Sequence, residues 1–236
     1  MCIKTSRNWL LPAAFLLLAG CAQTPVAPPG PPPPQNLLGS TDELQLVTEL
    51  SINMANDYGT DKVLVVLEID DTLLTAESGN ACNPTGTSAV ELTQPDAAAQ
   101  IQRIQRTGMK VLVLTSRGPD CSQQTLDDLR SNDFNFAASS LPPQSGYAEP
   151  WIPAGGNRPV LYTDGVFFTA GQNKGAMLSA LLEKTGQPYP MLIVIVDSNQ
   201  KDLNAYMGKF SHTNTKVHTW RYERDNKAAV EVALSP

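Results

Sequence analysis

The sequence is poor in the residues that usually make a metal or nucleophile site easy to find. It has two histidines and four cysteines in 236 residues. His212 and His218 read as strand or loop residues rather than ligands, and no Ser- or Cys-based triad stands out. Cations are outnumbered, 17 Lys and Arg against 23 Asp and Glu, so there is little sign of the basic face that a nucleic-acid footprint requires. No internal repeat occurs, and no apolar run reaches the roughly 20 residues of a membrane-spanning helix. These absences argue against a cysteine-ligated metal module, a nucleic-acid partner and a permanent transmembrane segment.

The amino end, MCIKTSRNWLLPAAFLLLAGC, has the layout of a secretory signal: Lys4 and Arg7, then an apolar stretch from Trp9 to Ala19. Leu18, Ala19, Gly20 and Cys21 resemble the lipobox of bacterial lipoproteins. That resemblance implies that Cys21 is lipidated and becomes the new amino terminus, and that Ala22, in place of Asp, directs the protein to the outer membrane. Each buried CH₂ of an acyl chain contributes about 0.8 kcal/mol, and anchoring becomes stable once more than one chain is attached. The following AQTPVAPPGPPPPQN is too proline-rich to fold and reads as a semi-rigid polyproline spacer. The expected organisation is a signal peptide at 1–20, the lipidated cysteine and linker at 21–39, and one domain at 40–236, long enough for a real core. Loss of residues 1–20 leaves 15 cations against 23 anions, a net charge of −8. The expected location is the bacterial cell envelope, at the periplasmic or surface face of the outer membrane, with the lipid anchor as the membrane contact.

With Cys2 in the signal and Cys21 in the lipobox, Cys82 and Cys121 remain in an oxidising compartment. They are either free thiols or a disulfide closing a loop of about 40 residues, which the chain-entropy account values at about 4 kcal/mol.

Along the domain, helical and extended patterns alternate. STDELQLVTELSINMANDYG predicts a helix capped by Ser40 with Glu43 three residues on, with Leu46, Leu50 and Met54 on one face and Gly59 at its end. VLVVLEI (63–69), KVLVLT (110–115) and PMLIVIV (190–196) read as buried strands. PVLYTDGVFFTA (159–170) reads as a hairpin turning at Asp164 and Gly165. Helices are expected at 95–108, 121–132, 173–186 and 199–210. Fully apolar strands alternating with amphipathic helices predict an α/β fold, a mostly parallel sheet with helices on both faces. Ligands of such sheets bind at the carboxyl ends of the strands.

Three strands end in polar clusters there: Glu68, Asp70 and Thr72; Thr115, Ser116 and Arg117; and Asp197 with Asp202. Lys174 opens the helix before the last strand. Crowded carboxylates repel one another unless a cation neutralises them. Mg²⁺, partly hydrated and shared with a phosphate, suits two or three such oxygens, while hydroxyls and cations hold the phosphate. The pattern points to phosphoryl transfer.

LEIDDTLL, VLVLTSR, NKG and IVIVDSNQKD together resemble, in order and strand context, the four motifs of the haloacid dehalogenase-like (HAD) superfamily, over roughly residues 60–210. The run TDGVFFTAGQNKGAMLSALL is similar to a little-characterised bacterial family of secreted HAD-like proteins. The resemblance implies a three-layer α/β/α, Rossmann-like domain with a small or absent cap, and a Mg²⁺-dependent phosphomonoester hydrolase whose open site accepts bulky phosphorylated substrates. By that resemblance Asp70 is the general acid/base and gives its backbone carbonyl to Mg²⁺. Thr115, Ser116 and Arg117 bind phosphoryl oxygens, Thr72 orients its loop against the phosphate, and Lys174 stabilises charge. Asp197 ligates the metal with Asp202 in support. Glu68 stands where the superfamily places its nucleophilic aspartate. It is one methylene longer, which moves its oxygens by about 1 Å, and misplacement of that size can cost on the order of 100-fold in rate; metal ligation by Glu68 survives it more easily. A non-catalytic phosphate or phospholigand binder is therefore the alternative. Arg117 could instead pair with Asp120, and Asp202 could instead cap a helix. The Pro- and Gly-rich segment 139–159 is either a small lid or a surface loop pinned by Trp151.

Overall fold

Val63–Leu67 offers no polar face, so only a strand covered on both sides can bury all five residues. In the computed structural model, which describes residues 30–76, 82 and 90–224, this segment is β2, buried throughout, at the centre of a seven-stranded sheet. The chain divides into two units, Met1–Gly30 and Pro31–Pro236. Of the first only Gly30 is described, and the fold below is that of the second. The signal-like segment, Cys21 and the spacer up to residue 29 lie outside the described residues.

The elements are β1 (Leu37–Thr41), α1 (Leu44–Tyr58), β2 (Val63–Leu67), β3 (Leu74–Ala76), β4 (Val90–Leu92), α2 (Ala97–Arg106), β5 (Lys110–Thr115), α3 (Ser122–Ser131), β6 (Leu161–Thr163), β7 (Val166–Phe168), α4 (Lys174–Thr185), β8 (Leu192–Asp197), α5 (Gln200–Phe210) and β9 (Lys216–Tyr222). The sheet order is β1-β9-β8-β2-β5-β7-β6, and every pairing is parallel except β6 with β7. β3 and β4 form a separate antiparallel pair.

Alternate residues of β2 face opposite layers. Val63, Val65 and Leu67 pack with Leu44 and Val47 of α1, Ile101 and Ile104 of α2 and Leu129 of α3. Leu64 and Val66 pack with Leu178 and Leu181 of α4 and with Leu203 and Phe210 of α5. The fold is the expected three-layer α/β arrangement with a mostly parallel sheet. From β2 the chain winds outward to β5 and β7, then crosses back to β8 and β9 on the other side. The strand order therefore reverses between β2 and β8, which is where ligands of doubly wound sheets bind.

The hairpin turns where expected. Thr163 pairs with Val166, leaving Asp164 and Gly165 in the turn, with φ of 47° and 79°. Positive φ at both central positions is the two-residue turn whose twist matches that of the strands.

Three expectations are corrected. Ser40 does not cap α1, because Leu37–Thr41 joins the sheet edge beside β9. Gly39 lies under the Trp220 ring, where a Cβ would come within 2.7 Å of ring carbon. The Asn36 side chain accepts from the Val217 amide at 2.9 Å, and the Tyr58 hydroxyl donates to the Pro32 carbonyl at 2.7 Å. The folded unit thus takes in residues assigned to the spacer and begins before Ser40. The buried face of α1 is Leu44, Val47, Thr48, Ser51 and Ala55, whereas Leu46 is 46% exposed. The helix starts three residues later than its composition suggests, at Leu44, where the Glu43 amide donates to the Thr41 hydroxyl at 3.0 Å. Gly59 ends the helix as expected, with φ of 104°. β1, β3, β4 and β9 were not anticipated, being short or polar.

Candidate functional site

Parallel pairing sets Leu67 against Val196, and the Glu68 amide donates to the Val196 carbonyl at 2.9 Å. Glu68 and Asp197 therefore leave the sheet side by side at the switch point, both buried. Lys174, the first residue of α4, sends its ammonium between them. Nζ donates to Glu68 Oε2 and, at 2.7 Å, to Asp197 Oδ2, and it stands 3.1 Å from Asp202 Oδ2. Three carboxylates thus meet one ammonium, and the lysine itself is only 1% exposed.

The placement of Lys174 depends on its neighbours. Asn173 caps α4, its side chain accepting from the Ala176 amide at 2.9 Å. Gly175 packs against α5 so closely that a Cβ would collide with the Ala205 carbonyl. The NKG sequence is thus a cap, a charge and a close helix contact in three consecutive residues.

One ammonium cannot compensate three carboxylates. Burial pushes the Glu68 carboxyl up to about 7, with Lys174 opposing and the Asp197 and Asp70 carboxylates adding to the rise. Burial likewise raises Asp197 against the pull of Lys174. Burial pulls Lys174 down, but Glu68 and Asp197, with Tyr206 and Asp202, outweigh it and hold the ammonium well above the ordinary lysine value. Of the cluster's carboxyls, Glu68 is thus one that holds its proton well above the ordinary carboxylate range.

Asp70 points to a different partner. Arg117 Nη2 donates to Asp70 Oδ1 at 2.7 Å and Nε lies 3.2 Å from Oδ2, while Nη1 donates to the Thr125 hydroxyl at 2.9 Å. Behind the guanidinium, Asp128 Oδ2 is 3.9 Å away and buried. Arg117 pairs with Asp70 and Asp128 rather than with Asp120. Asp71 turns outward at φ 56°.

The loops are tied together by hydroxyls. The fully buried Thr72 accepts from the Ser198 amide at 3.1 Å, and the Ser198 hydroxyl donates to the Asp70 carbonyl at 3.3 Å. Thr72 thus fixes the loop after β2 to the end of β8. Thr115 accepts from the Arg117 amide at 3.2 Å and is buried, whereas Ser116 is exposed. Asn199, not Asp202, caps α5, its side chain accepting from the Lys201 amide. Asp202 is left to face Lys174.

Ser198, Thr125, Asp128 and Tyr206 were not anticipated. Tyr206, one helical turn beyond Asp202, is 1% exposed. Its spacing from Asp202 on the inner face of α5 is the one signal the sequence offered for it.

Cys82 and Cys121 are joined as a disulfide, Cα to Cα 5.8 Å, which fastens Cys82 to the start of α3. Segment 139–159 is a pinned loop: Trp151 stacks on Phe167, with ring centres 5.8 Å apart, and the Lys184 ammonium lies over the Tyr147 and Trp151 rings. Cavities of about 400 and 300 Å³ open at the opposite, amino-terminal edge of the sheet, beside Phe136 with Asp164 and beside Lys62 with Tyr189; neither touches the carboxylate cluster.

Fold and site together define a doubly wound α/β protein with a buried carboxylate–lysine cluster at its switch point. Residues 84–232 match the sequence profile of a family described as "Protein of unknown function (DUF2608)", and the chain belongs to that family. The match takes in Thr115, Arg117, Lys174, Asp197 and Asp202 and begins beyond Glu68 and Asp70. No curated protein and no solved structure matches the chain.

Proposed function

We propose that the protein is a Mg²⁺-dependent phosphomonoester hydrolase of HAD type, carried on the outer membrane as a lipoprotein anchored through Cys21. The observation that supports this most strongly is the convergence of Glu68, Asp197 and Asp202 on Lys174 at the carboxyl edge between β2 and β8, with Asp70 on the loop after β2 and Thr115 at the end of β5.

The donor set fits a hard divalent cation. Glu68 and Asp197 supply two carboxylates, the Asp70 carbonyl stands beside Ser198 on the same edge, and one ammonium leaves the cluster net negative. Among the described residues no three His, Cys, Asp or Glu side chains form a metal group by themselves, so backbone oxygen and water would complete the shell. When bound, Mg²⁺ would neutralise phosphoryl oxygens and offset the excess negative charge of the pocket. Lys174 would hold a phosphoryl oxygen once it exchanges one of its carboxylate partners. Thr115 would donate its hydroxyl to another. Asp70, released from Arg117 toward the substrate, would protonate the leaving oxygen and then take a proton from water. Arg117, freed in that exchange, would turn to the phosphate with the exposed Ser116. Asp202 would keep Lys174 charged.

Glu68 is the residue on which turnover depends, since its carboxylate must reach phosphorus from a backbone position suited to a shorter side chain. Its contact with Lys174 favours a second reading, a phosphate or phospholigand binder that keeps the pocket without turnover. Hydrolysis of an aryl phosphate with Mg²⁺ separates the two, comparing wild type, Glu68→Asp and Asp70→Asn. Turnover in wild type that Asp70→Asn abolishes supports the hydrolase; turnover only in Glu68→Asp supports the binder; none in any variant contradicts the catalytic reading.

A further inference from the structure

Gln172, two residues before Lys174, is a buried amide at 9% exposure, and all of its hydrogen-bonding capacity is used. Its oxygen accepts from the Asn157 amide at 2.8 Å and from the Arg158 amide at 3.2 Å. Its nitrogen donates to the Arg158 carbonyl at 3.1 Å and to the Thr169 carbonyl at 3.0 Å. Gly156 makes room for this clip, since a Cβ there would stand 2.8 Å from the Gln172 oxygen and 2.7 Å from Pro153. The backbone of Arg158 is therefore fastened on both sides to the loop that follows β7.

That loop belongs to the site edge. The Thr169 hydroxyl donates to the Thr115 carbonyl at 2.7 Å, and the Ala170 amide donates to the Arg117 carbonyl at 3.0 Å. Gly171 comes next, with φ of 68°, and the Arg158 guanidinium lies over it, 3.8 Å from where a Cβ would be. The side chain is exposed and makes no ion pair or hydrogen bond with any described residue. In a chain with an excess of carboxylates, an arginine is held rigidly at its backbone on the rim of the pocket while its charged end stays unused.

We infer that Arg158 is a specificity-determining residue that recognises a second anionic group on the phosphorylated ligand, with Gln172 as the residue that positions it. The inference rests on the proposed phosphoryl site and deepens it: the preferred ligand is a phosphomonoester carrying a carboxylate outside the reacting centre. An arginine pairs with such a group through two parallel N–H donors, and at an exposed rim the gain is about fivefold in affinity.

The test uses the full chain with Mg²⁺ and two matched probe pairs, phenyl phosphate with 4-carboxyphenyl phosphate and glycerol 3-phosphate with 3-phosphoglycerate. The reading is the ratio of kcat/KM within each pair. Wild type should favour the carboxylated member of at least one pair by about fivefold or more, and Arg158→Ala should bring that ratio to within about twofold of one. Gln172→Met should lower the ratio in the same direction, and Arg158→Lys should restore part of it. A ratio near one in wild type, or one that Arg158→Ala leaves unchanged, overturns the inference while leaving the phosphoryl site standing. If no probe is turned over, calorimetric binding of the same pairs is read in the same way. Binding of neither member of either pair would count against the phosphoryl site itself, and the inference would fall with it.

Discussion

The Arg117 guanidinium and the Asp70 carboxylate are joined through two nitrogens, Nη2 at 2.7 Å and Nε at 3.2 Å, across 47 residues of sequence. This pair links the loop after β2 to the loop after β5. It also places a buried cation between two carboxylates, Asp70 in front and Asp128 behind, the latter raised by burial against the pull of Arg117.

Removing the guanidinium leaves the half-buried Asp128 without its compensating charge, and stranding a carboxylate in this way is costly. Arg117→Met is expected to lower stability by about 2 kcal/mol, read from urea unfolding. Arg117→Met with Asp128→Asn should lose less than the single variant, because the stranded charge is gone. Equal losses would show that Asp128 does not depend on Arg117.

Glu68 gives the protein a pH signature of its own. Its folded value, about 7, lies above its ordinary 4.5, so between those limits the folded chain holds a proton that the unfolded chain releases. Stability from this group is fully present below about 4.5 and is lost as pH rises through 7, by on the order of 3 kcal/mol in total. Asp197 shifts in the same direction. Denaturant midpoints measured with a chelator present should fall from pH 5 to pH 8 in wild type and fall much less in Glu68→Gln. A wild-type profile rising over that range would contradict the arrangement.

Gly175 tests how α4 carries Lys174. Any side chain there meets the Ala205 carbonyl and Lys209 Cβ on α5, so Gly175→Ala should cost about 2 kcal/mol by overpacking. It should also weaken phosphate-dependent stabilisation, since α4 must move with its first residue. A variant as stable as wild type would mean that α4 and α5 have slack between them.

Much of the sheet was legible because its strands are apolar on both faces, and the same segments end in the residues that form the site. The order of the motifs led to Glu68, Lys174 and Asp197 as one group, and the shared ammonium brings them together. What escaped were polar or short strands. Lys216–Tyr222 mixes polar residues with Val217, Trp220 and Tyr222 and finds its place only between β8 and β1. Leu37–Thr41 stands at the edge of a proline tract whose composition obscured it. The Arg117–Asp70 pair was missed because two distant loops meet there, and sequence proximity pointed to Asp120 instead.

The disulfide between Cys82 and Cys121, 39 residues apart, should matter thermodynamically. Reduction is expected to cost about 4 kcal/mol, seen as a lower denaturant midpoint in dithiothreitol, with no such effect in the Cys82→Ser, Cys121→Ser double variant. Identical midpoints for oxidised and reduced wild type would contradict a constraint of that size.

The most direct measurement is the melting temperature of the full chain with Mg²⁺, with inorganic phosphate, and with both, in wild type and Asp197→Asn. A pocket that takes both gives stabilisation growing with the logarithm of ligand concentration, about 2.7 kcal/mol at 100 times Kd. The account predicts a shift with Mg²⁺ and phosphate together that exceeds either alone and is lost in Asp197→Asn. No shift in wild type, or an equal shift in Asp197→Asn, would contradict it.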